Sequence, residues 1–186
     1  MKVWGFREAR PAPAWVNFAK TLAQVIVFWG FFLFLVPPQV AAMEQYCGFE
    51  RYMFAGSIPF WACALLFGVA GSIGLWSALV IVVHGAGTPL PLDAPRKLVI
   101  VGPYRVVRNP MACCGLIQGV AVGLYLGSPA VLVYCMCGGL LWNYIARPAE
   151  ERDLVARFGK PYCHYRDKVR CWLPIVRPYQ SGLPEP

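Results

Sequence analysis

Residues 111–146 read MACCGLIQGVAVGLYLGSPAVLVYCMCGGLLWNYIA, and this stretch decides the fold. Two apolar runs, about Met111 to Leu126 and about Ala130 to Ala146, are joined by Gly127-Ser128-Pro129 without one acid, Lys or Arg between them. Roughly 20 apolar residues cross a hydrocarbon core as a helix. Within lipid the backbone must satisfy its own hydrogen bonds, which leaves helices as the natural spanning element here. The stretch therefore reads as a short-legged helical hairpin, with both charged flanks returned to one membrane face. The upstream flank is Gly102-Pro103-Tyr104-Arg105-Val106-Val107-Arg108-Asn109-Pro110-Met111. The downstream flank is Arg147-Pro148-Ala149-Glu150-Glu151-Arg152-Asp153-Leu154, then Phe158-Gly159-Lys160-Pro161-Tyr162 and Tyr165.

Two further spans lie upstream. One runs from about Asn17 to Val36 and is expected to end at Pro37-Pro38. The other runs from about Ile58 to His84 and ends before Gly85-Ala86-Gly87. Of the 186 residues 58% are hydrophobic and 14% charged, against about a quarter charged in soluble domains. The expectation is a polytopic, all-α integral membrane protein in one domain, with about four transmembrane helices and a cytoplasmic C-terminal interfacial helix. Residues 1–84 would supply the N-terminal transmembrane helices, 85–178 the functional core and 179–186 a tail. Basic residues alternate between the flanks: Lys2, Arg7, Arg10 and Lys20; then Arg51 alone; then Arg96, Lys97, Arg105 and Arg108; none in the hairpin turn; and eight from Arg147 to Arg177. Positive charge favours the cytoplasmic side, which predicts cytoplasmic termini and a cytoplasmic site. A competing reading takes residues 1–42 as a leader ending at Val40-Ala41-Ala42.

The net charge of +8 fits topology and anionic headgroups, and no nucleic-acid motif accompanies it. The eight cysteines fall mostly in or beside apolar stretches, where Cys acts as a small hydrophobe. Their spacing provides no zinc set, so no metal is expected. Gly115, Gly119, Gly123 and Gly127 recur every four residues, as do Gly68, Gly71 and Gly74 every three. Such stripes let a second helix approach closely in lipid. Gln118 and Asn143 are amides at membrane depth, and an interhelical hydrogen bond is the expected use.

The chemistry concentrates in the flanks. Pro110 suits the first turn of a helix, whose other free N–H groups, with Arg105 and Arg108, would favour an anion. Pro148 is expected to interrupt the last span, and Ala149 to Phe158 to form a new surface helix with acids in its first turn and Gly159 as terminator. Phe158, Tyr162, Tyr165 and Trp172 suggest an aromatic wall or an interfacial belt. An anion-binding helix start, carboxylates and aromatics are compatible with S-adenosylmethionine, without singling it out.

These residues resemble the isoprenylcysteine carboxyl methyltransferase-like family of integral membrane methyltransferases, which is related to the phospholipid methyltransferases. The pattern G-P-Y-R-x-x-R-[HN]-P-M, an apolar hairpin, R-x-x-E-E-x-x-L, F-G-x-x-Y-x-x-Y and W-[LI]-P is met by Gly102 to Met111, Arg147 to Leu154, Phe158-Gly159, Tyr162, Tyr165 and Trp172-Leu173-Pro174. Gly87-Thr88-Pro89 and Asp93-Ala94-Pro95 are similar to members of the group. The resemblance covers residues 85–178 and implies S-adenosylmethionine as cofactor, with a lipophilic small molecule or lipid entering from the bilayer. It implies cofactor contacts from Gly102, Tyr104, Arg108, Asn109, Pro110, Met111, Glu150, Glu151 and Tyr162, and catalytic roles for Arg147, Glu151 and Arg108. Many members carry His where this chain has Asn109, and Asn is no general base. Ala112-Cys113-Cys114-Gly115 also replaces the family's Tyr-Leu-Gly. The leading expectation is methyl transfer to a carboxylate or thiol acceptor. The alternatives are phospholipid or small-amine N-methylation and a non-enzymatic membrane scaffold. Neither the acceptor nor the oligomeric state is legible.

Overall fold

A proline lacks the N–H that a helix needs and crowds the carbonyl four residues back. Sequence reasoning therefore breaks the first span at Pro37-Pro38 and the last at Pro148. The computed structural model, which describes residues 7–50, 52, 57–89 and 93–180, carries the helix through both points. Helix α1 runs Ala14–Tyr46, α2 Pro59–Gly85 and α4 Pro129–Phe158, each long and apolar enough to cross a membrane. The shorter α3 is Pro110–Leu126, and α5 is Lys160–Lys168. Lys2, Arg51 and residues 181–186 of the tail lie outside the described residues.

The helices pass their prolines by widening into π turns, Gly30–Leu35 in α1 and Trp142–Ala146 in α4. Val36 N–H donates to the Phe31 carbonyl and Arg147 N–H to that of Trp142, both five residues back. In that register the Phe32 carbonyl faces Pro37, which has no N–H. The Tyr134 hydroxyl of α4 donates to it instead, at 3.3 Å. A carbonyl stripped at membrane depth is thus satisfied from a neighbouring helix. Ala149 to Phe158 consequently continues α4 and does not begin a new helix. The apolar, spanning part of α4 ends at Ala146; from Arg147 the helix is charged. Gly159, at φ 57°, ends it as expected, and α5 follows directly.

Among the described residues there is no strand, only one isolated bridge between Glu8 and Ala94. This is an all-α integral membrane protein. Helix α3 packs against both α2 and α4, and its glycine stripe is the reason it fits. A Cβ at Gly115 would overlap the ring of Trp29, one at Gly119 would press on Cys135, and one at Gly123 on Leu132. Gly71 and Gly74 of α2 face Gln118 and Cys114, whereas Gly68 meets open space. The expected helix-packing role therefore holds for all but Gly68 and Gly127, which ends α3 at φ 61° against the Tyr52 backbone. Ala41, inside the candidate cleavage segment, is fully buried against Val131 and Cys135 within the bundle.

The two ends of the bundle are built differently. At one end Glu44 of α1 accepts hydrogen bonds from the Ser128 hydroxyl and, at 2.9 Å, from Ala130 N–H at the start of α4. Tyr52 N–H donates to Gly127 there as well. The other end gathers three distant segments. Ala9 and Ala94 are tied through backbone bonds, Lys20 pairs with Asp93 at 2.9 Å, and Arg96 with Glu8 at 3.2 Å. The C-terminal segment returns over residues 105–108: Arg170, Ile175 and Tyr179 exchange backbone bonds with Arg108, Val106 and Arg105. The N-terminal arm, the middle loop and the C-terminal segment therefore share one end, as the charge alternation predicts.

Candidate active site

A cavity of about 590 Å³ opens at that gathered end. This volume lies within the usual range for small-molecule sites. Its polar wall comes from the two charged flanks. Arg108 Nη1 bonds Glu151 Oε1 at 2.8 Å, and Arg147 Nε stands 3.9 Å from the same oxygen. The Nε atoms of Arg108 and Arg147 are buried without a hydrogen-bond partner. A guanidinium has five N–H donors, and buried polar groups are ordinarily satisfied. The wall therefore holds more donor capacity than the protein itself uses.

The charges are also unevenly placed. Burial opposes the charge on Arg108, but Glu151, then Tyr162 and Cys171, outweigh it and hold the guanidinium more firmly protonated than usual. Glu150, on the charged extension of α4, is pushed up from 4.5 to about 7. Burial is the main cause, followed by the neighbouring carboxylates Glu151 and Asp153, against the pull of Arg108 and Arg157. Burial first, then Glu150, raises Tyr104 well above its ordinary value. A carboxyl titrating near neutrality beside a firmly charged arginine is a common feature of functional sites.

Eight of the ten residues predicted for the site line this cavity: Tyr104, Arg108, Asn109, Met111, Arg147, Glu150, Glu151 and Tyr162. Gly102 and Pro110 do not. Gly102 sits at φ 57° against Val80, where a side chain would be crowded, and Pro110 is buried as the first residue of α3. The helix start is less available to an anion than expected. Asn109 Oδ1 accepts from Ala112 N–H at 3.1 Å, Asn109 O from Cys113 N–H, and Pro110 has no N–H. Asn109 is therefore a helix cap, a role for which Asn is among the best residues. Arg105 is turned to the Tyr179 carbonyl at 2.8 Å and is structural.

The aromatic wall forms in part. Phe158, Tyr162 and Tyr165 line the cavity, and the Tyr165 hydroxyl fixes the Tyr104 carbonyl at 2.6 Å. Trp172 instead packs edge-on against Trp142 and donates to Asn143 Oδ1 at 2.8 Å, so that amide is bonded to the non-helical C-terminal segment and not, as expected, to another helix. Sequence reasoning missed Phe28 and Trp29 of α1, Ile81 of α2 and Trp142, Ile145 and Ala146 of α4, which make the membrane-side wall. Among the described residues, each of the three π turns borders the cavity: Trp29 precedes the first, Ile81 opens the Ile81–Gly85 turn that ends α2, and the other three lie in the third. Such turns are rare and frequent at functional sites. The prolines that follow two of them were the available signal.

The structure thus places a charged cavity at one end of an apolar helical bundle. Residues 58–161 match the phospholipid methyltransferase family, and the chain belongs to it. It is a membrane methyltransferase, in keeping with the resemblance carried by its two charged motifs. No curated protein sequence matches the chain.

Proposed function

We propose that the cavity binds S-adenosylmethionine and methylates an amine on a lipophilic acceptor at the cytoplasmic membrane face. The observation that carries this is the joint presence of underused guanidinium groups on Arg108 and Arg147 and two carboxylates, Glu150 and Glu151, in one cavity of about 590 Å³. Such a wall is complementary to an amino-acid zwitterion, its carboxylate on the arginines and its ammonium on Glu151, which leaves Glu150 free. Tyr104, Phe158 and Tyr162 suit a flat ring. When bound, the cofactor supplies a methyl group already activated on a sulfonium.

The protein's task is then alignment and exclusion of water. Alignment contributes on the order of 7–11 kcal/mol of barrier reduction in favourable cases. Trp29, Trp142 and Ile145 keep the membrane side dry, and Arg147 and Arg108 hold Glu151 in place. An amine must shed a proton in the transfer, whereas a carboxylate or thiolate need not. Glu150, titrating at about 7, is suited to accept that proton, which favours the amine reading over the carboxylate or thiol one. The family's description agrees in class. The cytoplasmic orientation rests on the alternation of Lys and Arg along the chain, and residues 85–178 are proposed as the cofactor-binding core of one membrane domain.

The test is binding of S-adenosylmethionine to the purified protein in nanodiscs, beside a Glu150→Gln/Glu151→Gln control. Micromolar affinity that the control loses is the expected result. No binding at millimolar cofactor in a folded sample overturns the reading and favours a scaffold that retains only the fold.

A further inference from the structure

One side chain of the cavity's membrane-side wall, Trp29, rests on a glycine of α3. Helix α3 lines the cavity with Asn109, Met111 and Ala112, and its next turn brings Gly115. The ring of Trp29 lies directly over Gly115, so closely that a Cβ there would overlap it. Trp29 also lines the cavity, from the residue immediately before the Gly30–Leu35 π turn. Arg108, bonded to Glu151, lies just before the start of α3, and the indole stands against the second turn of that helix.

The turn also anchors α1 at this level, because Tyr134 of α4 holds the Phe32 carbonyl. On the facing helix Trp142 is packed edge-on to Trp172, and Trp172 is fixed to Asn143. Trp142 is braced by a hydrogen-bonded partner, whereas Trp29 rests on a glycine. The cavity is thus bounded on one side by a braced ring and on the other by a ring whose position depends on the absence of a single methyl group.

We propose that Trp29, seated on Gly115, is the specificity-determining side chain of the methyl transfer: it limits the bulk of the acceptor group that can lie next to the reacting atom. This rests on the reading of the cavity as a methyl-transfer site. Substitution on the two partners has opposite consequences. Trp29→Ala removes the ring and deepens the cavity. Gly115→Ala forces the ring off its seat and into the cavity, making it shallower. Loss of a single methylene contact in an apolar pocket changes discrimination by about 10–200-fold, and an indole is much larger.

The experiment uses the full chain in nanodiscs as wild type, Trp29→Ala, Trp29→Phe and Gly115→Ala. Binding and methylation are measured with dodecylamine and with an adamantyl-substituted amine, and cofactor affinity is measured alongside. Trp29→Ala is expected to raise the bulky-to-linear ratio by at least about tenfold, Trp29→Phe to raise it less, and Gly115→Ala to lower it, with cofactor affinity little changed. An unchanged ratio in both Trp29 variants overturns the proposal, as does a rise in Gly115→Ala. The Trp29 variants decide the matter if Gly115→Ala does not fold. If the wild type takes no cofactor while the binding ratio still shifts as described, the functional reading falls and takes the role of Trp29 in methyl transfer with it, leaving Trp29 only as a limit on what the cavity holds.

Discussion

Glu44 and Glu151 are glutamates at opposite ends of the same bundle, and their surroundings differ in one respect that matters. Glu44 is nine-tenths buried and both its oxygens meet neutral donors, Ser128 and Ala130 N–H, at the start of α4. It caps a helix whose dipole favours a negative charge there, and the joint is complete. Glu151 meets Arg108 and approaches Arg147, yet both arginines keep a buried Nε without a partner, and Glu150 beside them is pushed up to about 7. A structural joint uses up its polar capacity. A site retains some, at a cost in stability, for something that binds later.

The strongest test attacks the incomplete end. Arg108→Ala and Glu151→Gln are each expected to lower methyl transfer by about 100-fold or more, the cost of misplacing reacting groups. Thermal unfolding in detergent should still show a folded protein. Near-normal turnover in both variants would remove these residues from the site and collapse the contrast.

Glu150 adds a pH signature. Its carboxyl is raised from 4.5 to about 7 in the folded protein, so the folded state holds the proton more tightly than the unfolded one. The stability it contributes is fully present below about 4.5 and is lost as pH rises through about 7. A base must be ionised to accept a proton, so turnover with an amine acceptor should rise through the same region. Glu150→Gln should flatten both dependences. Persistence of the activity limb in this variant would assign it to another group, and the amine reading would lose its main support.

How much of this was legible follows from the kind of signal each part leaves. The hairpin, the four apolar spans and the charged flanks were readable because lipid imposes length and composition on every residue of a span. Eight of ten predicted site residues line the cavity; they were named from the motifs that resemble a methyltransferase family, since Arg and Glu at a membrane surface have bland uses too. Helix ends were misread at Pro37-Pro38 and Pro148, since the π turns that absorb the prolines depend on a hydroxyl from Tyr134 and on tertiary packing. Trp29 was invisible for a related reason. In sequence it is one aromatic among several in an apolar helix, and only its place over Gly115 distinguishes it. Glu44 left no motif, because its partners are more than 80 residues away.

Glu44→Ala tests the complete end. Each buried donor left unsatisfied costs about 1–3 kcal/mol, here the Ser128 hydroxyl and Ala130 N–H, so a clear fall in melting temperature is expected. Glu44→Gln keeps an acceptor oxygen and should lose less. Turnover per folded molecule and cofactor affinity should not move in either variant. A change in cofactor affinity would couple the two ends and end the distinction drawn between them.

The smallest expected effect concerns Asn109, which belongs to both categories at once. It lines the cavity, but its Oδ1 is already engaged by Ala112 N–H at 3.1 Å as the cap of α3. Loss of such a cap costs about 0.5–2 kcal/mol. Asn109→Ala should therefore lower the melting temperature modestly, whereas Asn109→Asp, an equally good cap, should retain it. If the side chain acts only as a cap, Asn109→Asp also retains turnover. If its free amide N–H₂ contacts a ligand, Asn109→Asp loses turnover at unchanged stability, because the carboxylate has no donor to offer. The capping geometry supports the first outcome, and with it the view that the reaction proceeds without a side-chain base at this position.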